Sequence, residues 1–165
     1  MTNEIEIIRL CQTLFVLYIG LFAGSVTLNN LTDYGTNYRF IYNVMGMRTV
    51  FSDCRLRWRA IESPPVYHVV YAVIIAIEAL TTALCLWGAW DLWQARGASR
   101  EVFSATKVVA FKGLGVGFTL WFAVFMIGAG QWWASWQSKD FSGQDAAFRY
   151  YVPIGIVFVI LLHPA

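Results

Sequence analysis

The sequence predicts an all-α membrane protein of four transmembrane helices arranged in two hairpins, with a structured first extramembrane loop. Three observations carry that prediction. Hydrophobic residues make up 58% of the 165-residue chain and charged residues only 13%, so a soluble fold of this size would lack polar cover. Apolar runs recur along the chain, each long enough to supply the roughly 20 helical residues that a hydrocarbon layer demands. Tryptophans gather where those runs end, at the interfacial depth their amphipathic rings favour. The chain reads as one domain, 1–165, with spans at about 7–28, 64–91, 107–130 and 143–162.

The first span follows Glu4, Glu6 and Arg9, not the basic segment of a cleaved leader, and is expected to be a retained helix. Ser63-Pro64-Pro65 opens the second, because serine caps and proline is tolerated in a first turn. The third is expected to begin after Ser99, its polar first turns standing outside the apolar stretch Val108 to Ala129. Ser142 with Asp145 three residues later reads as a capping box for the fourth, in which Pro153 predicts a kink.

Four spans place both termini and the loop 91–107 on one side, and the loops 29–62 and 131–142 on the other. Arg9, Arg96, Arg100, Lys107 and Lys112 belong to the terminal side; Arg39, Arg48, Arg55, Arg57, Arg59, Lys139 and Arg149 belong to the opposite one. A raw count favours the second side as cytoplasmic. Because the first loop also carries Asp33, Asp53 and Glu62 and reads as folded, the short middle loop is the cleaner indicator, and the termini are expected in the cytoplasm. A net charge of +2, scattered among the spans, gives no basic face for nucleic acid. Of the three cysteines, Cys11 and Cys85 fall within spans and Cys54 in a loop; without a CxxC or Cys/His cluster, no metal site is expected.

Two GxxxG spacings, Gly20 with Gly24 and Gly113 with Gly117, predict close helix contacts, with each other, a second copy or another protein. Gly113-x-Gly115-x-Gly117 is not a nucleotide loop, since no strand precedes it. Trp87, Trp90 and Trp93, and Trp132, Trp133 and Trp136, read as interfacial anchors; ligand stacking is the alternative for the second group. His68 and His163 fall at opposite ends of their spans, separated by about 30 Å of bilayer, so they do not bracket one haem within a monomer. A single-histidine or shared haem site is the remaining form of that idea.

Glu78 is the principal candidate, an ionisable group within the apolar run Val66 to Trp90. Counting helical rise places it near the midplane, with Tyr18 and Thr119 at similar depth as hydrogen-bond partners; Lys112 lies nearer the terminal side. The ordinary role is a neutral carboxyl bonded to a hydroxyl or backbone carbonyl across a helix contact; the functional ones are proton relay, ion binding or quinone contact. In the first loop, Arg55, Arg57 and Arg59 alternate with Cys54, Leu56, Trp58 and Ala60 at a strand-like period, a short interfacial helix being the alternative. Those arginines are candidates for an anionic lipid or a carboxylate ligand, against the plainer reading of a basic strip at the headgroups.

The stretches Asn29-Asn30-Leu31-Thr32-Asp33-Tyr34-Gly35-Thr36-Asn37 and Leu56-Arg57-Trp58-Arg59-Ala60-Ile61, Glu78 with Leu80-Thr81, and Trp136-Gln137-Ser138 followed by Phe148-Arg149-Tyr150 together resemble the DUF2165 family of small integral membrane proteins. The resemblance spans nearly the whole chain. It implies a four-helix protein of the bacterial inner membrane and transfers no catalytic residue. With no catalytic constellation, the favoured expectation is a structural or accessory subunit without chemistry of its own, packing with other membrane subunits or as a homo-oligomer among membrane lipids. The alternative is a small carrier or quinone- or lipid-binding protein that uses Glu78. No cofactor is called for, lipid or quinone being the compatible ligands, and a haem-bearing oxidoreductase subunit is disfavoured by the histidine positions.

Overall fold

The structure, a computed structural model, describes residues 2–165, with side chains from Glu4 onward. Helix α1 (Thr2–Thr32) leads through Asp33 into α2 (Tyr34–Met45). A 3₁₀ turn at Arg57–Arg59 precedes α3 (Pro64–Gln94). Helix α4 (Arg100–Thr119) continues as a π-helix (Leu120–Trp132), and a second 3₁₀ turn at Ser135–Gln137 precedes α5 (Gln144–Leu162). Four of these helical stretches are long and apolar enough to cross a membrane, as the composition and apolar runs predict. The helices α1 and α3 form one hairpin, and α4 with its π-helical continuation forms the second with α5.

Buried positions repeat at heptad spacing in each helix, which is the seam of an antiparallel bundle. On α3 the seam is Tyr67, Tyr71, Ile74, Glu78, Thr81, Cys85, Gly88 and Leu92. Residues Arg9, Val16, Ala23 and Asn30 continue it on α1, Phe103, Lys107, Ala110, Leu114 and Gly117 on α4, and Ala147, Ile154 and Leu161 on α5.

Both GxxxG faces meet α3. A Cβ at Gly20 would press on Leu86 and Cys85, and one at Gly24 on Thr82. From the other side, a Cβ at Gly113 would lie 2.9 Å from the Cys85 nitrogen, and one at Gly117 2.8 Å from the Thr81 methyl. The reciprocal contact is tighter still, because a Cβ at Gly88 would stand 2.6 Å from the Ala110 backbone. Lipid offers no hydrophobic drive between helices, so this close approach supplies the packing contact that holds them together.

At one end of the bundle, buried polar side chains satisfy the last carbonyls of α5. Lys107 Nζ donates to the carbonyls of Leu161 and His163, and Gln12 Nε2 to those of Ile160 and His163. Arg9 donates to the carbonyls of Arg96, Ala98 and Ala165, its guanidinium lying over the Phe103 ring. Cations at a helix C-terminus are favoured by its partial negative charge, which explains how Arg9 and Lys107 are buried within an apolar bundle.

At the other end the first loop folds back, and several local expectations are corrected. The segment around Arg57–Arg59 is a 3₁₀ turn, not a strand, because its arginines are drawn to carbonyls on either side. The first residue of α5 is preceded by Gly143, and no side chain caps it; the Ser142 capping box does not form. A Cβ at Gly143 would sit 2.6 Å from the Phe40 ring, so close packing of α2 governs this start. Ser63 stands at the start of α3 but its side chain makes no cap bond, whereas Ser99 accepts from the Val102 N–H at the start of α4. Helix α5 runs through Pro153, whose ring faces outward from the seam.

Replacing Gly88 with alanine is expected to destabilise the protein by about 1–3 kcal/mol, because the added methyl meets backbone that cannot swing away. Gly115, with nothing within 4 Å of its would-be Cβ, is the control. Thermal unfolding in detergent should show Gly88→Ala melting several degrees lower and Gly115→Ala unchanged or raised.

Candidate functional site

Glu78 is only 2% exposed and occupies a seam position of α3. Its partner is Asn30, whose Nδ2 donates to Oε2 at 2.7 Å. Asn30 is itself 7% exposed, and its carbonyl accepts from the Tyr71 hydroxyl at 3.2 Å. The three residues tie the end of α1 to the middle of α3.

Neither expected partner reaches the carboxyl. Thr119 stands at a suitable height, two residues beyond the Gly117 that packs on Thr81, but it faces outward and its hydroxyl donates to the Gly115 carbonyl. Tyr18 is 55% exposed and precedes Asn30 by twelve residues, about 18 Å of helical rise. The depth argument fails because it counts from the start of each span. Helix α3 has 31 residues, about 46 Å, and its first turns extend beyond the end of α1. There α2 lies along them: Tyr34 and Tyr38 stack on His68, and Tyr42 packs edge-on against Tyr67. Glu78 is thus level with the last turn of α1, where the neighbours Asn29 and Asp33 are exposed.

Above the carboxyl lies a half-open cavity of about 180 Å³. Asn30, Glu78 and Tyr71 form its polar side, and Asn37 on α2 adds a second amide. Phe40, Trp121, Phe125 and Tyr150 supply rings from α2, the π-helix and α5, Trp121 and Tyr150 being stacked at 4.9 Å. The wider turn of the π-helix puts Trp121 and Phe125 on one face, both lining the space. Among the described residues, Oε2 is the carboxyl oxygen that takes a hydrogen bond, and the side chain as a whole lines the cavity.

The first-loop arginines are arranged otherwise. Arg57 donates to the carbonyls of Val50 and Phe51, and Arg59 donates to the Trp132 carbonyl while lying 4.5 Å from the centre of the Trp132 ring. Trp133 Nε1 returns a bond to the Arg59 carbonyl, and Trp136 packs edge-on against Phe51. Arg55 alone of the three is exposed without such a bond among the described residues. This tryptophan group therefore clasps the loop, whereas Trp87 and Trp90 are each 61% exposed on the outside of α3.

His68 accepts or donates through Nδ1 to the Tyr34 hydroxyl at 2.8 Å, at the end of the bundle opposite His163, whose carbonyl takes the Lys107 and Gln12 bonds. Gly20, Gly24, Gly113 and Gly117 belong to the helix packing described above and do not touch the cavity.

The model for the family described as "Predicted small integral membrane protein (DUF2165)" matches residues 8–164, nearly the entire chain. The protein belongs to that family. Neither a curated protein nor a solved structure matches it. Family membership and fold agree on a small integral membrane protein with four candidate spans.

Asn30 was the residue missed by reading the Asn29-Asn30 pair as loop. Its signal is periodic: Arg9, Val16, Ala23 and Asn30 recur every seventh position, so extending the seam of α1 by one heptad puts the amide on the α3 face.

The contact between Asn30 and Glu78 predicts a specific pattern of stabilities. Glu78→Gln keeps an acceptor for the Asn30 amide and should remain folded, whereas Glu78→Leu should cost about 1–3 kcal/mol by orphaning that buried donor. In a double-mutant cycle with Asn30→Ala, thermal unfolding should give a coupling of roughly 0.5–3 kcal/mol. Additive effects would show that the two groups do not support each other.

Proposed function

We propose that this protein is a small ligand-binding protein or carrier of the bacterial inner membrane, holding a small molecule, or the head of a lipid or quinone, in the cavity over Glu78. The observation that carries this reading is the half-open, ring-lined space of about 180 Å³ with a buried carboxyl and two amides on its wall. Sites of this kind combine a mainly apolar lining with a few convergent polar groups. An ionisable group inside a membrane bundle is itself a functional signal. No catalytic role is assigned to any residue.

An accessory-subunit role draws less support from the sequence features that first suggested it. The GxxxG faces pack on α3 within the chain, and the second tryptophan group holds the first loop. What is left for a partner is the outer apolar surface, including Ile156 and Val159 of α5, which lipid covers equally well.

Extraction into lipid-retaining polymer, followed by native mass spectrometry, separates the two. A small molecule or discrete lipid should accompany the wild type and be lost from Ala146→Phe, a substitution at an exposed lining position of the cavity. A stoichiometric assembly with other subunits and an empty cavity would favour the accessory role instead.

For orientation we propose cytoplasmic termini, supported by Arg96 and Arg100 in the short middle loop and by the engagement of Arg57 and Arg59 on carbonyls in the first loop. Cys54, in the first loop and half-buried, is the natural reporter. A membrane-impermeant maleimide should label it in intact cells, and Cys54→Ala should abolish the signal. Labelling only after the membrane is breached would invert the topology.

A further inference from the structure

From the lining of the Glu78 cavity we infer that its ligand is a small organic ammonium ion, with the Glu78 carboxylate as counter-ion and the surrounding rings as its cage. This deepens the ligand-binding reading and rests on it.

The charge of the lining is one-sided. Glu78 is its only acidic residue, and no lysine, arginine or histidine faces the space among the described residues. Buried cations are present in the protein, but Arg9 and Lys107 are at the far end of the bundle, Arg9 committed to carbonyls of the α3–α4 loop and of Ala165, and Lys107 to those of Leu161 and His163. Among the described residues, the carboxyl has one neutral hydrogen-bond donor, Asn30, and no cationic partner. An anion would meet no countercharge here.

Ring content separates an organic cation from a metal ion. Phe40, Tyr71, Trp121, Phe125 and Tyr150 border the cavity, and aromatic faces attract an alkylated ammonium electrostatically while tolerating its apolar surface. A hard metal cation needs about six oxygen ligands. The nearest amide turns its nitrogen to Glu78, and the Tyr71 hydroxyl is engaged with the Asn30 carbonyl, so the polar side is not arranged as an oxygen cage.

Size narrows the class further. A dry cavity of about 150 Å³ accepts benzene, so the volume of about 180 Å³ here fits an ammonium bearing a few methyl groups. Such a group is carried by free alkylamines and by choline lipids, and the chemistry at Glu78 is the same for both.

Purified protein in phosphatidylglycerol nanodiscs, titrated with tetramethylammonium chloride, tests the inference. Thermal unfolding should rise by several degrees with tetramethylammonium, and not with equal sodium chloride or with tert-butanol, a neutral molecule of similar branching. Calorimetric affinity should fall at least about tenfold in Glu78→Gln, since a buried charge pair is lost. It should fall severalfold in Tyr150→Leu and be kept in Tyr150→Phe, which preserves the ring. In phosphatidylcholine nanodiscs, weakened binding assigns a lipid head group as the source, and unchanged binding a free amine. Stabilisation by tert-butanol equal to that by tetramethylammonium would overturn the cation assignment while leaving a ligand pocket in place. That comparison needs only the wild type, so it decides the matter even if Glu78→Gln does not fold. Absence of any response to tetramethylammonium also overturns the assignment, and the native-extraction experiment then judges the pocket independently.

Discussion

The close approach of α1 and α4 to adjoining faces of α3, which share Cys85, is the constraint on which the rest of this structure depends. In water, helices are pressed together by burial of apolar surface, but in lipid that drive is absent and contact must be won by fit. Glycine provides the fit at Gly20 and Gly24 on one side, and at Gly88, Gly113 and Gly117 on the other. The Gly88–Ala110 contact brings backbone against backbone and leaves no room for even a methyl. With α3 held at both flanks, its heptad seam fixes which residues face inward, and Glu78 is carried inward with the seam.

The two ends of the bundle then solve different polar problems. At the terminal end, the final carbonyls of α5 would be orphaned in an apolar setting, and Gln12 and Lys107 supply donors from α1 and α4, while Arg9 serves the α3–α4 loop and Ala165. Charge there is structural, because the helix end presents the complementary partial charge. At the opposite end the first loop is stitched to the second through Arg59, Trp132 and Trp133, with Phe51 N–H donating to Gln137 Oε1. A small apolar cluster of Met47, Val50 and Ala134 lies beneath, where Met47 and Ala134 hold left-handed backbone at φ 46° and 51°. That conformation is unusual outside glycine, so the loop geometry is imposed by its contacts.

Hydropathy made the helices legible, and length made them spans, since both are properties of single segments. The GxxxG spacings were legible as contacts, but their recipient was not: nothing in Gly20 or Gly113 says that both look at α3. Glu78 could be singled out from its surroundings in sequence, yet its partner could not be reached by counting residues. Depth counting assumes that helices start level, whereas α3 overshoots α1 and is covered there by α2. Seam phase is the better guide, because side chains meet when they share a face, and phase puts Asn30 inward and Tyr18 and Thr119 outward. Alternating arginines around Leu56 misled for a related reason: period alone carries no information about the carbonyls that capture Arg57 and Arg59.

A bundle packed through glycine has little reason to contain a cavity, so the origin of this one is informative. At the level of Glu78, α1 ends and α2 takes over through Asp33, while α4 gives way to π geometry from Leu120. The two irregularities coincide in height and on either side of the same carboxyl, with Trp121 and Phe125 turned toward it from the widened helix. Non-helical or irregular backbone at membrane depth is tolerated where it is covered by protein or lines a cavity, and π-turns recur at functional sites. A purely structural carboxyl would be expected where packing is tightest, bonded on both oxygens and closed off. Glu78 instead stands where packing is interrupted, held from one side by Asn30, beside a space walled by rings. The position of the gap, more than the presence of the acid, is what supports the ligand-binding reading we propose over that of a helix lock.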